Sequence, residues 1–208
     1  MKKLILIFVV VTFLFSGNIF AGDKAKIDEP APVFTLVDSE GKEHSLTDYK
    51  GKYVVLEWIN FGCPFVKKHY NSKNMQKLQK KYTEEGVIWL SICSSAEGKQ
   101  GYFEKTEIEE KIKELGGSMT AYLIDESGEV GKMYAAKTTP HMYVIDTSGV
   151  LVYAGGIDDR PSADEEDVVG AKNYVAEALD ALLKEEEIKV KVSKPYGCSV
   201  KYGEKRVD

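Results

Sequence analysis

The sequence predicts an α/β protein, with a mixed central sheet, helices on both faces, an N-terminal hairpin and a C-terminal extension. Three observations carry this. Apolar runs of strand length alternate with stretches of 3.6-residue periodicity, and Gly-, Asp- and Ser-rich turns separate them. The 208 residues are 43% hydrophobic and 29% charged, a balance that excludes disordered, collagenous and polytopic membrane classes.

Along the chain, Lys2 and Lys3 precede an apolar run from Leu4 to Phe15, and Ala21 follows a short polar break. This pattern predicts a secretory signal over residues 1–21, with Ile19 third back from the cut. An uncleaved anchor is the other reading of residues 4–21; in both, the folded part lies outside the cytoplasm, in the periplasm or an equivalent compartment. Residues 22–30 read as a linker, 31–184 as one domain and 185–208 as a tail. Two of the 28 basic residues lie in the signal, leaving 26 against 33 acidic ones, so nucleic acid is not an expected partner.

Val33–Val37 and Glu43–Leu46 flank Ser39-Glu40-Gly41 as a hairpin, and Tyr53–Ile59 is an apolar run broken only by Glu57, as in a buried central strand. After Gly62-Cys63-Pro64, a helical period runs through Val66, Tyr70, Leu78 and Tyr82 to Gly86, with Pro64 suited to the first turn. Val87–Cys93 is a second buried strand. Thr106 with Glu109 suggests a capping box for a helix burying Ile108, Ile112 and Leu115 and stopped by Gly116-Gly117. A strand at Ala121–Ile124, a short helix at Val130–Ala136 and a hairpin of His141–Ile145 with Val150–Ala154 follow. Val175, Ala178, Leu179, Leu182 and Leu183 mark an amphipathic helix before the tail. The runs Asp164–Asp167 and Glu185–Glu187 read as solvated surface.

Three cysteines, Cys63, Cys93 and Cys198, allow at most one internal bridge, too few for a disulfide-stapled scaffold. Cys63 stands where a buried strand passes into a helix. The free amides and positive dipole end there favour a thiolate, the species that attacks disulfides and peroxides.

Val54-Val-Leu-Glu-Trp-Ile-Asn-Phe-Gly-Cys-Pro-Phe-Val66 resembles the strand and active-site turn of thioredoxin-fold proteins, with Val66 at the second cysteine position of Cys-x-x-Cys. Pro32–Leu36, Asp48–Lys52, Thr139-Pro140, Tyr143–Asp146 and Tyr153–Asp158 extend the similarity over about residues 31–184, to the redoxin, or alkyl hydroperoxide reductase/thiol-specific antioxidant, family. The resemblance implies a thioredoxin-like fold and a redox-active centre. It implies that Thr139-Pro140 is a cis-proline turn against Cys63, whose preceding backbone pairs with a bound peptide or thiol. It also implies that Glu57 is a buried acid that accepts or relays a proton during disulfide exchange.

A peroxiredoxin pattern, Pro-x-x-x-Thr-x-x-Cys with a separate arginine, is absent: Leu56 and Asn60 occupy the proline and threonine positions, Pro140 takes the arginine position, and the only arginines are Arg160 and Arg206. About fifteen residues of tail can span tens of ångströms, enough to bring Cys198 back to Cys63 as a resolving cysteine or as a structural staple. Cys93 reads as an inert core thiol. Lys67 and Lys68 add positive potential near Cys63 or are plain solvated helix, and His44, His69 and His141 have no ligand spacing with a cysteine, so neither a metal nor another cofactor is expected.

The leading expectation is an extracytoplasmic thiol:disulfide oxidoreductase exchanging electrons with protein or small-molecule thiols and disulfides, with a thioredoxin-like electron donor as a further partner. A peroxiredoxin-like thiol peroxidase is the alternative, and a non-enzymatic binding module with a structural disulfide the third reading.

Overall fold

The computed structural model describes residues 24–203, so the expected signal lies outside the described residues. Nine strands and five helices follow in order: β1 Thr35–Asp38, β2 Glu43–Ser45, β3 Val54–Trp58, α1 Pro64–Asn71, α2 Asn74–Glu84, β4 Ile88–Cys93, α3 Lys105–Leu115, β5 Ala121–Ile124, α4 Glu129–Met133, β6 Thr138–Thr139, β7 His141–Ile145, β8 Leu151–Gly155, α5 Tyr174–Leu183 and β9 Cys198–Ser199. Seven strands form one sheet in the order β2-β1-β5-β4-β3-β7-β8. Its centre, β5-β4-β3, is parallel, and the flanking pairs β3–β7, β7–β8, β1–β5 and β1–β2 are antiparallel. Parallel neighbours need crossovers over a sheet face, which explains why both faces are covered and why the central strands are apolar on both sides.

Alternation along β3 sorts its side chains between two cores. Val54, Leu56 and Trp58 pack with Leu90, Ile92 and Leu123 beneath Val130 of α4, Tyr134 and Tyr143. Val55 faces the opposite core, with Trp89, Val66 and Tyr70 of α1, Met75 and Tyr82 of α2, and Val175 and Leu179 of α5. Glu57, two residues on from Val55, therefore points into the layer of α1 and α2.

Two local expectations are corrected. The helical stretch from Pro64 to Gly86 is two helices, because Lys73 adopts φ 61° and Ser72 Oγ donates back to the Lys68 carbonyl at 2.7 Å. Hydroxyl back-bonding competes with helix continuation there, and the break lets each half bury its own stripe. The capping box of α3 sits two residues earlier than Thr106 and Glu109: Glu104 is the N-cap and Glu107 accepts its backbone N–H at 2.9 Å.

After α5 the chain turns back along the sheet edge and then crosses its active end. Val192 bridges Ala154, Ser193 N donates to the Ala154 carbonyl, and β9 pairs antiparallel with β6, Thr139 opposite Cys198. Val200 N donates to Lys137 O, Ala96 N to Lys201 O, and Tyr202 Oη to Ala136 O. The tail is thus a strap fastened on both sides of Cys198.

Candidate active site

Cys63 is the N-cap of α1 and Pro64 its first helical residue. The turn before it is built by Asn60, whose side-chain oxygen accepts Gly62 N at 2.8 Å and whose carbonyl accepts Cys63 N at 2.9 Å. The Thr139–Pro140 peptide is cis. It delivers the Thr139 carbonyl to the sulfur, and the Cys63 thiol donates to it at 3.0 Å. β9 sets Cys198 opposite Thr139, the residue whose carbonyl accepts the Cys63 thiol, and so brings the second thiol beside the first. Four of the sequence-predicted residues, Cys63, Thr139, Pro140 and Cys198, therefore meet at one point, and both cysteines are free thiols.

The two thiols are electrostatically unequal. Burial disfavours ionisation of Cys63, but the polar groups of Cys198, Thr139 and Val66 around it outweigh burial and hold its pKa below that of an ordinary cysteine. Cys198 moves the other way, to about 11, because of burial and because its thiol is committed to Cys63 and faces the charge developing there. Cys63 therefore ionises first.

Glu57 is wholly buried and lies one shell behind. Trp89 Nε1, Ser91 Oγ and Gln79 Nε2 donate to its Oε2 at 2.8, 2.8 and 3.1 Å, and Tyr70 Oη donates to Oε1 at 3.2 Å. Burial raises its pKa in spite of those four donors. Among the described residues no hydrogen bond joins Glu57 to Cys63; the link is mechanical, through α1, which carries both Cys63 and Tyr70. A raised carboxyl pKa means stability that is present below the ordinary carboxylate range and lost as pH climbs through the folded-state value. Glu57→Gln cannot ionise. Its melting temperature should match wild type near pH 4 and exceed it progressively at higher pH, by about 2–4 °C per kcal/mol of relieved burial; melts by circular dichroism across pH 4–9 check this, and a constant offset would refute it.

The remaining polar candidates are placed as follows. Cys93 donates to Gly101 O at 3.3 Å, inside the core. His141 is buried behind the cis-proline turn with its pKa lowered to about 4 by burial and by Lys137, and so is neutral at pH 7. Lys68 is corrected: it is 1% exposed, not solvated helix, and its Nζ donates to Arg160 O at 2.7 Å and faces Asp158 Oδ2 at 3.7 Å. Asp158, His69 and Tyr196 complete that buried cluster, which sequence reasoning missed. Lys68 looks like its neighbour Lys67, and only the fold returns Tyr196 to α1.

Comparison with known proteins bears on the family and the fold. The AhpC/TSA family model matches residues 27–154. The thiol-disulfide oxidoreductase ResA of Bacillus thuringiensis is 30% identical over 141 residues, covering 67% of this chain and 75% of that one. The crystal structure of an uncharacterized conserved protein from Geobacillus kaustophilus superposes with a TM-score of 0.73 at 31% identity, covering 86% of this chain and 93% of that chain. The thioredoxin domain of a thiol-disulfide oxidoreductase from Bacteroides vulgatus, with a TM-score of 0.51 at 21% identity over 70% of this chain and 96% of that one, shares the fold. The family match spans the sheet that positions Cys63, and the chain belongs to the AhpC/TSA family, on a thioredoxin-like fold.

Proposed function

We propose that this thiol:disulfide oxidoreductase works outside the cytoplasm, with Cys63 as nucleophile and Cys198 as resolving cysteine. The observation that carries the assignment of roles is the pairing of Cys198 with Thr139, the residue whose carbonyl holds the Cys63 thiol, and it is supported by one thiol pKa being lowered and the other raised. The Cys63 thiolate attacks a substrate disulfide, forming a mixed disulfide and expelling one substrate thiolate. Charge on Cys63 is thereby removed, and with it a cause of the raised Cys198 pKa. Cys198 then loses its proton and attacks the Cys63 sulfur, which releases the second substrate thiolate and leaves a Cys63–Cys198 disulfide. Two electrons pass to the substrate. A thiol donor, thioredoxin-like in the leading case, restores the dithiol by the reverse exchange.

In this scheme the Thr139 backbone, next to cis-Pro140, is the docking edge for an incoming strand, and Glu57 holds or accepts a proton behind the site. With β9 docked that edge is filled and Cys63 is 0% exposed, so a protein substrate enters as the tail lifts. The basic, apolar N-terminus supports export. Among the described residues the one arginine does not serve peroxide reduction: the Arg160 side chain is 53% exposed and faces Asp159.

Titration of the protein in glutathione buffers, with mass-spectrometric mapping of the bridged cysteines, tests this. A Cys63–Cys198 bridge opening above about −250 mV is the expected result; a bridge intact below about −300 mV, or no bridge at Cys63, would overturn it.

A further inference from the structure

We propose that Tyr196 is a positioning residue of the Cys63–Cys198 couple, latching the tail onto the buried Asp158–Lys68–His69 cluster so that β9 presents Cys198 to Cys63. The inference rests on the two-cysteine reading above and adds to it the device that sets the distance between the thiols.

The cluster is sealed from solvent. Lys68, His69 and Asp158 are 1%, 0% and 3% exposed. Asp158 Oδ1 accepts Arg160 N at 2.9 Å and the Tyr196 hydroxyl, while Oδ2 has no hydrogen bond and faces Lys68 Nζ at 3.7 Å and His69 Nε2 at 3.9 Å. Asn74 Nδ2 donates to His69 Nδ1 at 2.9 Å, which assigns the imidazole hydrogen to Nε2. Nε2 then donates to Tyr196 Oη at 3.1 Å, and the Tyr196 proton goes to Asp158. The ring of Tyr196 lies 6.0 Å from that of Phe65 and 5.5 Å from Lys68 Nζ.

Burying an ion pair carries a large desolvation cost unless its remaining valences are met, so such a cluster adds little stability for its size. What it does add is direction. Phe65, Lys68 and His69 all belong to α1, the helix whose N-cap is Cys63. One rigid turn of helix therefore separates the nucleophile from the latch, and on the tail side Gly197 alone separates Tyr196 from Cys198. Two short, stiff connections meeting at Tyr196 hold the sulfurs together. A loose fifteen-residue tail would leave Cys198 at a low effective concentration.

The test uses the full chain and Tyr196→Phe, which keeps the ring packing and deletes only the hydroxyl. Two quantities are read: the equilibrium constant for forming the Cys63–Cys198 bridge with oxidised glutathione, which yields two reduced glutathiones, and amide hydrogen exchange at Val200 in the dithiol form. The latch predicts that Tyr196→Phe lowers the bridge constant at least tenfold and speeds Val200 exchange at least tenfold. A wild-type bridge with an unchanged constant in the variant would overturn the latch and leave the two-cysteine reading standing. A wild type that forms no such bridge would overturn both, whatever the exchange rate.

Discussion

Cys63→Ser is expected to lose at least about 10³-fold of the dithiol-driven reduction of a protein disulfide, because a serine hydroxyl beside helix amides does not ionise near neutral pH and is a far poorer nucleophile toward sulfur. The fold should be unaffected, since the side chain is isosteric and Thr139 O still receives a donor. Cys198→Ala separates the two roles. It keeps the attacking sulfur, so covalent mixed disulfides between Cys63 and substrate should accumulate and be visible by mass. It also removes the neighbour that most favours the Cys63 thiolate, so the Cys63 pKa should rise and the thiolate absorbance in the ultraviolet should appear at higher pH than in wild type. An unchanged Cys63 titration would show that the tail does not tune the nucleophile, and residual turnover in Cys63→Ser would move the chemistry elsewhere.

The second large effect is expected at Gly197. Its φ is 130°, a conformation open essentially to glycine alone, and a Cβ built there would stand 2.1 Å from the Thr139 carbonyl oxygen and 2.8 Å from the carbonyl carbon. Neither neighbour is a flexible side-chain end, and the Thr139 carbonyl is also the acceptor of the Cys63 thiol. Gly197→Ala should therefore detach β9 from β6. Strain of about 1–3 kcal/mol, before the clash is counted, corresponds to about a 5- to 150-fold loss in the bridge constant. Because the seven-stranded sheet does not include β9, secondary structure should persist while Cys63 becomes accessible to alkylation. Wild-type bridging and protection in Gly197→Ala would show that the tail reaches Cys63 by another route.

Much of this molecule is legible one element at a time. The apolar run of β3, the Gly-Cys-Pro turn, the helical stripe through Val66 and Tyr70, and the Asp146–Gly149 hairpin each carry a local period or a turn residue, so strands, helices and Cys63 at a helix start follow from neighbours in sequence. Glu57 was readable for the same reason, as one acid inside a buried strand. The split at Ser72–Lys73 was not, because the stripe runs through it and a single left-handed residue breaks no period.

The α/β architecture, a cysteine at a helix start and the family resemblance are all written in the order of residues, because each rests on contacts within one element or on a contiguous motif. Only the folded chain runs the tail as β9 along Thr139, brings Cys198 to Cys63, and gathers Lys68, His69, Asp158 and Tyr196 into one buried cluster. Apart from the neighbours Lys68 and His69, those residues lie far apart along the chain and carry no shared period. A buried lysine is written like a solvated one until the fold supplies its carboxylate, its acceptors and the absence of water.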